Sequence, residues 1–127
     1  MNNINSVCIS GNLTRDVETK LADGTTIITF SIAFNESRKN VQSGQWEDYL
    51  NFIDCVMFGA RAKKLGKILM KGSKVCVFGK LRQTRWERDG QKRSKLEIIV
   101  SEIELLGSNA GSQDFKSNQE SIPFDYN

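Results

Sequence analysis

Tyr49-Leu50-Asn51-Phe52-Ile53-Asp54-Cys55-Val56-Met57-Phe58, Gly59-Ala60-Arg61-Ala62-Lys63-Lys64-Leu65-Gly66-Lys67-Ile68-Leu69-Met70-Lys71 and Gly72-Ser73-Lys74-Val75-Cys76-Val77-Phe78 follow one another without a break, and the hydrophobic period changes twice between them. The first block reads as a strand over roughly 49–58. Phe52, Asp54, Val56 and Phe58 share one face, and Ile53, Cys55 and Met57 share the other. In a small barrel only one of these faces is core. The second block switches to helical spacing. Ala62, Leu65 and Leu69 form an apolar stripe with Lys63, Lys64, Lys67 and Lys71 between them, and Gly72 is the expected stop, giving a helix over 60–71. The third block opens a strand from Ser73 to about Trp86. Val75, Val77 and Leu81 are expected inward, which turns Lys80, Arg82, Thr84 and Trp86 outward.

Working outward, residues 4–13 are β-prone and end at Gly11-Asn12-Leu13. Asp23-Gly24 is a turn signal leading into Thr25–Phe34, where Ile28, Phe30, Ile32 and Phe34 alternate with Thr29, Ser31 and Ala33. Residues 35–48 read as a polar loop. Beyond Trp86, Asp89-Gly90 is a strong hairpin turn, and a last strand covers about Lys95–Leu106. The order is β-β-β-α-β-β, all-β with one helix placed between strands 3 and 4. That is the order of an OB-fold, a five-stranded Greek-key barrel that commonly binds oligonucleotides across one face.

From Gly107 the pattern stops. Gly-Ser-Asn-Ala-Gly-Ser-Gln-Asp-Phe-Lys-Ser-Asn-Gln-Glu-Ser has no period and little bulk, so a disordered C-terminal tail over 107–127 is expected to follow a folded domain over 1–106. The tail contains one apolar cluster, Ile122-Pro123-Phe124.

The totals narrow the function. The chain has 127 residues, 39% hydrophobic and 26% charged, and its longest apolar runs are four residues, so no membrane helix is expected. The N-terminal Met-Asn-Asn-Ile-Asn-Ser lacks the basic flank and apolar stretch of a secretory signal, so a cytoplasmic location is expected. Three dispersed cysteines fit reduced, partly buried thiols rather than a disulfide framework. With no histidine, no closely paired cysteines and no catalytic constellation, neither a metal, a cofactor nor an enzyme is expected. The net charge is +3, but the tail holds one Lys against three acidic residues, which leaves 17 basic and 12 acidic residues in the body. A basic body suggests a polyanionic partner.

The outward Trp86 stands amid Arg82, Arg85, Arg88, Lys92, Arg93 and Lys95. Cations neutralise phosphates, and flat rings stack on bases that lack a pairing partner, so this mixture suits single-stranded nucleic acid. Phe52 and Phe58 are the other candidate stacking rings. Each also has a plain alternative as core.

Several stretches resemble the bacterial single-stranded-DNA-binding (SSB) family: Gly11-Asn12-Leu13-Thr14-Arg15-Asp16, Val56-Met57-Phe58-Gly59, Lys71-Gly72-Ser73-Lys74-Val75, Gly79-Lys80-Leu81-Arg82 and Trp86-Glu87-Arg88-Asp89-Gly90-Gln91-Lys92-Arg93. They lie in the family's order and spacing. The resemblance implies sequence-independent coating of single-stranded DNA in replication, recombination and repair, with a nucleoid-associated cytoplasmic location. It implies base stacking on Phe52, Phe58 and Trp86, and by Arg38, which stands where relatives have a further Trp. It implies phosphate contacts at Lys71, Arg82 and Arg85, extended along the hairpin to Arg88, Lys92 and Arg93. Asp54 falls where a basic residue is common, so its carboxylate is expected to lean toward a neighbouring cation. The family usually forms homotetramers through its first strands, and Ile53 stands at an interface position often held by His. Its members typically end in an acidic run and a Pro-Phe tip that docks replication and repair proteins. Here Ile122, Pro123 and Phe124 match that tip, but Asp125-Tyr126-Asn127 follows them. The alternative is a primosomal-type OB-fold interaction subunit that binds single-stranded DNA weakly.

Overall fold

The computed structural model describes residues 2–107, so the tail expectations, including Ile122, Pro123 and Phe124, lie outside the described residues. Six strands and one helix follow in the order β1 (Val7–Leu13), β2 (Glu18–Ala22), β3 (Thr25–Lys39), β4 (Trp46–Phe58), α1 (Ala60–Gly66), β5 (Lys74–Arg88) and β6 (Gln91–Leu105). The strands run β1-β5-β6-β4-β3-β2, and β1 also pairs with β3, so five of them close a ring with β2 outside it. All pairings are antiparallel except β4 with β6, which meet in parallel at Asp54↔Glu97, Cys55↔Ile98 and Val56↔Ile99. This is the expected OB-fold barrel.

Closure depends on how β3 divides its edge. One side pairs with β4 from Ile27 to Lys39. The other is shared by β2 at Thr25–Thr29 and by β1 at Ala33 and Ile32. Gly11 allows this crossing, because a Cβ there would sit 2.4 Å from the carbonyl oxygen of Ala33. At the second tight point the register between β5 and β6 slips beside Phe78 and Gly79, skipping Ser101. The Ser101 hydroxyl donates to the Phe78 carbonyl at 3.1 Å, and a Cβ on Gly79 would lie 2.1 Å from the carbonyl oxygen of Ile99.

The core follows the predicted parity. Ile28, Phe30 and Ile32 of β3, Cys55 and Met57 of β4, and Val75 and Val77 of β5 are buried, joined by Ile98, Val100 and Ile103 of β6. Ala62 and Leu65 of α1 and the following Leu69 complete the cluster. The two Asp-Gly turns form as expected, with φ of 51° and 79° at Asp23 and Gly24 and 53° and 77° at Asp89 and Gly90.

Four local expectations need correction. A strand, β2, occupies 18–22; every residue of it is exposed, so it carries no apolar period to detect. The supposed loop 35–48 is mostly paired strand, a ribbon turning only between Lys39 and Trp46. The helix ends at Gly66 rather than Lys71, although Leu69 still reaches the core through a further turn that bonds its N–H to Leu65 at 2.9 Å. Leu81 keeps the inward parity, opposite the buried Ile98, but it lies beyond Gly79, the last residue of β5 paired with β1, and at 37% exposed it is not sealed into the core.

Candidate nucleic-acid interface

Register determines which side chains share the outer face. Across the sheet Ser31 pairs with Asp54, Asp54 with Glu97 and Glu97 with Arg82, a polar row over β3, β4, β6 and β5. Strand alternation then places Phe52 and Phe58 of β4, and Lys80, Thr84, Trp86 and Arg88 of β5, on that same face. Lys95 and Arg93 of β6 join them, opposite Thr84 and Trp86. Phe52 is 63% exposed, Phe58 43% and Trp86 41%, whereas Cys55 and Met57 on the reverse of β4 are buried. The bland alternative of a core role for Phe52 and Phe58 is therefore removed. Val56 has outward parity yet is buried, flanked in register by Thr29 and Ile99.

The polar row is internally satisfied. Lys95 Nζ lies 2.7 Å from one carboxylate oxygen of Asp54, and the Ser31 hydroxyl donates to the other. The Lys95 hydrogen bond, then that of Ser31, holds the Asp54 carboxyl below its ordinary value, so it is an anion at neutral pH. The expected lean toward a cation is what the geometry gives. Glu97, only 8% exposed, accepts from Thr84 Oγ1 at 2.6 Å and from Arg82 at 3.2 Å. Glu97, and Lys95 as the partner of Asp54, are features that sequence reasoning missed. Their partners lie on different strands, and only cross-strand register brings them together.

The basic residues divide. Arg82, Arg88 and Arg93 stand on the face of Trp86, while Arg85 and Lys92 belong to the opposite face of the ribbon by register. Because the ribbon is only two strands wide, both faces reach solvent, and Arg85, Trp86, Lys92 and Arg93 border one open groove of about 410 Å³. Lys71 lies elsewhere, in the turn before β5, its main-chain N–H donating to Asp16 at 2.8 Å. Arg38 is not brought beside Phe52. It pairs with Glu47 on the reverse face of the β3–β4 ribbon, and its guanidinium sits 4.3 Å from the centroid of the Tyr49 ring. Trp46, 69% exposed, shares the parity of Phe52 instead.

A flat, half-exposed aromatic face edged by cations offers bases somewhere to stack and phosphates something to neutralise. Residues 4–106 match the Single-strand binding protein family. The chain belongs to that family. A single-stranded DNA-binding protein of Treponema pallidum is 42% identical over 112 residues, 87% of this chain and 62% of the relative. One from Borreliella burgdorferi is 38% identical, with 88% and 76% covered. This chain thus spans less than two thirds of the Treponema protein's length. Among solved structures, the Plasmodium falciparum SSB complex with ssDNA aligns at a TM-score of 0.77 over 84% of this chain and 97% of that one. Its 24% identity speaks for the fold alone. A deletion mutant of the Thermus aquaticus single-stranded DNA binding protein aligns at 0.74 with 27% identity, over 85% of this chain and 52% of that one.

Among the described residues no group of three or more His, Cys, Asp or Glu side chains is placed to hold a metal ion, and no helix is long and apolar enough to cross a membrane.

Proposed function

We propose that this protein binds single-stranded DNA without reading its sequence and protects it during replication, recombination and repair, performing no chemistry on it. The observation that carries this is the single outer face on which Phe52, Phe58 and Trp86 stand exposed beside Arg82, Arg88, Arg93 and Lys95. Bases stack on the three rings, and the phosphates run along the β5–β6 ribbon, where Arg85 and Lys92 add charge from its other side. Lys71 contributes from the turn before β5, and Arg38 from the second ribbon, stacked on Tyr49. A docking-only role would not need three rings held out of the core.

The working unit we propose is a homotetramer in the cytoplasm, associated with the nucleoid. Support comes from β1, which pairs with β5 along Val7–Asn12 but meets β3 only at Asn12 and Leu13, leaving an edge open for another strand. Residues 1–106 form the binding domain, and Ile122, Pro123 and Phe124 in 107–127 dock replication and repair proteins. Titration with oligo(dT) of several lengths, followed by tryptophan fluorescence at two salt concentrations and repeated with duplex, tests the central claim. Emission quenches, log affinity changes by about −0.7 per log unit of salt for each phosphate neutralised, and duplex binds far less well. Equal affinity for duplex and single strand overturns it.

A further inference from the structure

Lys71 stands apart from the other cations that border the aromatic face, and Arg15 lies in the gap between them. Arg15 belongs to Thr14-Arg15-Asp16-Val17, the short irregular stretch between β1 and β2. Hydrogen bonds clamp that stretch on both sides. Before Arg15, the Thr14 N–H donates to the Ser31 carbonyl at 3.0 Å, and Ser31 is the residue whose hydroxyl donates to Asp54. After Arg15, a carboxylate oxygen of Asp16 accepts the Lys71 N–H at 2.8 Å. The end of β1 ties itself to the same turn. The Leu13 N–H donates to the Ser73 carbonyl and the Gly72 N–H to the Leu13 carbonyl, each at 2.9 Å, while the Asn12 amide donates to the Gly72 carbonyl at 3.1 Å. Consecutive Cα atoms are about 3.8 Å apart. Arg15 is therefore one residue from an anchor on the polar row and one residue from an anchor on Lys71.

We infer that Arg15 is a further phosphate-binding residue, which joins the track over the aromatic face to Lys71; the inference rests on the binding mode proposed above. The cations nearer the centre of the face are already engaged. Lys95 lies 2.7 Å from Asp54, and Arg82 lies 3.2 Å from Glu97. Arg15 is exposed, and among the described residues no hydrogen bond or ion pair engages its side chain. Lys95 and then Ser31 hold the Asp54 carboxyl below its ordinary value, and the charge of Arg15 adds in the same direction, which sets Arg15 beside that row.

The residue type suits the place. A guanidinium offers a planar fork of donors that matches two phosphate oxygens at once. Asp16 is the acidic neighbour a phosphate must pass, and its carboxylate is held against the Lys71 main chain. Because both flanking residues are anchored, only the Arg15 side chain has to order when a phosphate arrives, which lowers the entropic cost of the contact. The stretch follows β1 and is not part of the strand edge over Val7–Gly11 that is left for a neighbouring copy. A strand of DNA would thus run from the β5–β6 ribbon past Lys95 and Arg82 to Arg15 and Lys71, and the site is longer than its three rings.

The test uses the full chain and end-labelled oligo(dT) of increasing length, with binding followed by fluorescence anisotropy over a range of salt concentrations. The variants are R15A, R15K, K71A, the double variant R15A/K71A, and W86A as a control on the rings. With long oligonucleotides R15A should make the slope of log affinity against log salt shallower by about 0.7, and R15A/K71A by about 1.4. R15K should keep the parental slope, and thermal unfolding of R15A should match the parent. With oligonucleotides just long enough to cover the rings, R15A should bind as the parent does. A parental slope for R15A while W86A is weakened overturns the inference and leaves the binding mode standing. A loss in R15A that is the same at every length, or that leaves the slope unchanged, overturns it too. Parental binding by W86A removes the binding mode itself, and the role of Arg15 falls with it.

Discussion

Two β-ribbons extend from the same barrel, and each carries one tryptophan. The β5–β6 ribbon holds Trp86 among six basic and two acidic residues over 82–96, whereas the β3–β4 ribbon holds Trp46 among two basic and three acidic residues over 35–50. The backbone device is the same in both, a long antiparallel pair past the barrel rim. Their charges are not. On the first ribbon Arg88 and Arg93 share the tryptophan's face. On the second, charged groups are occupied by neutral neighbours: Asp48 accepts from Asn35 and Ser37, Glu47 accepts from Asn40, and Arg38 lies over Tyr49. An exposed ring becomes a base-stacking site only where the phosphates on either side of that base are neutralised, so the two tryptophans are not equivalent.

The largest effect expected is from Trp86→Ala, which should weaken oligo(dT) binding by roughly 1–3 kcal/mol. Isothermal or fluorescence titration in a Trp46→Phe background checks it, and parental affinity would refute stacking at Trp86. Next is Arg88→Ala with Arg93→Ala. Loss of two phosphate contacts should reduce the slope of log affinity against log salt by about 1.4. An unchanged slope would place the strand elsewhere. Trp46→Ala should cost under about 1 kcal/mol, below the range for a stacked base, because its ribbon lacks net positive charge. A loss matching Trp86→Ala would erase the contrast between the ribbons.

The smallest effect concerns Asp54. Its carboxylate occupies Lys95 on the DNA face, so Asp54→Asn should tighten binding a few-fold, seen as a slightly steeper salt slope. The same pair has a pH signature. The Asp54 carboxyl is held below its ordinary value of 3.8, so the folded state gains stability from it above that pH and loses it as pH falls through the lower folded-state value. Urea unfolding at pH 5 and pH 3 should therefore show a smaller drop for Asp54→Asn than for the parent. The pair is substantially solvent-exposed, so the difference will be small.

The barrel was legible where burial imposes a period. Ile28, Phe30 and Ile32 alternate because one face of β3 is sealed, and Asp23-Gly24 and Asp89-Gly90 mark turns because few other dipeptides tolerate two positive φ values. What escaped was structure with no buried face. β2 is exposed throughout, and the β3–β4 ribbon is exposed on both sides, so strand and loop look alike there. Leu81 has the inward parity the pattern gives it, but nothing local shows that β1 no longer covers β5 beyond Gly79, so the side chain is left partly exposed. At the site, Phe52, Phe58 and Trp86 were found from parity on their own strands. Arg38 comes from the resemblance, and only its register with Glu47 and its contact with the Tyr49 ring show which face it occupies. Glu97 depends on strands remote in sequence.

The parallel contact of β4 with β6 also bears on how the molecule reaches its native state. Each ribbon is a hairpin of adjacent strands and can zip from its own turn within microseconds. The β4–β6 junction and the β1–β5 pair join segments distant in the chain, and such closures slow folding toward the millisecond-to-second range typical of small barrels. Phe52 and Trp86 ride on different hairpins, and the distance between them is set only when Asp54, Cys55 and Val56 align with Glu97, Ile98 and Ile99. A chain with both hairpins formed but that junction open has every stacking ring in place on its own ribbon and no continuous track across them. Recovery of full affinity during refolding should therefore keep time with barrel closure, not with the appearance of β-structure.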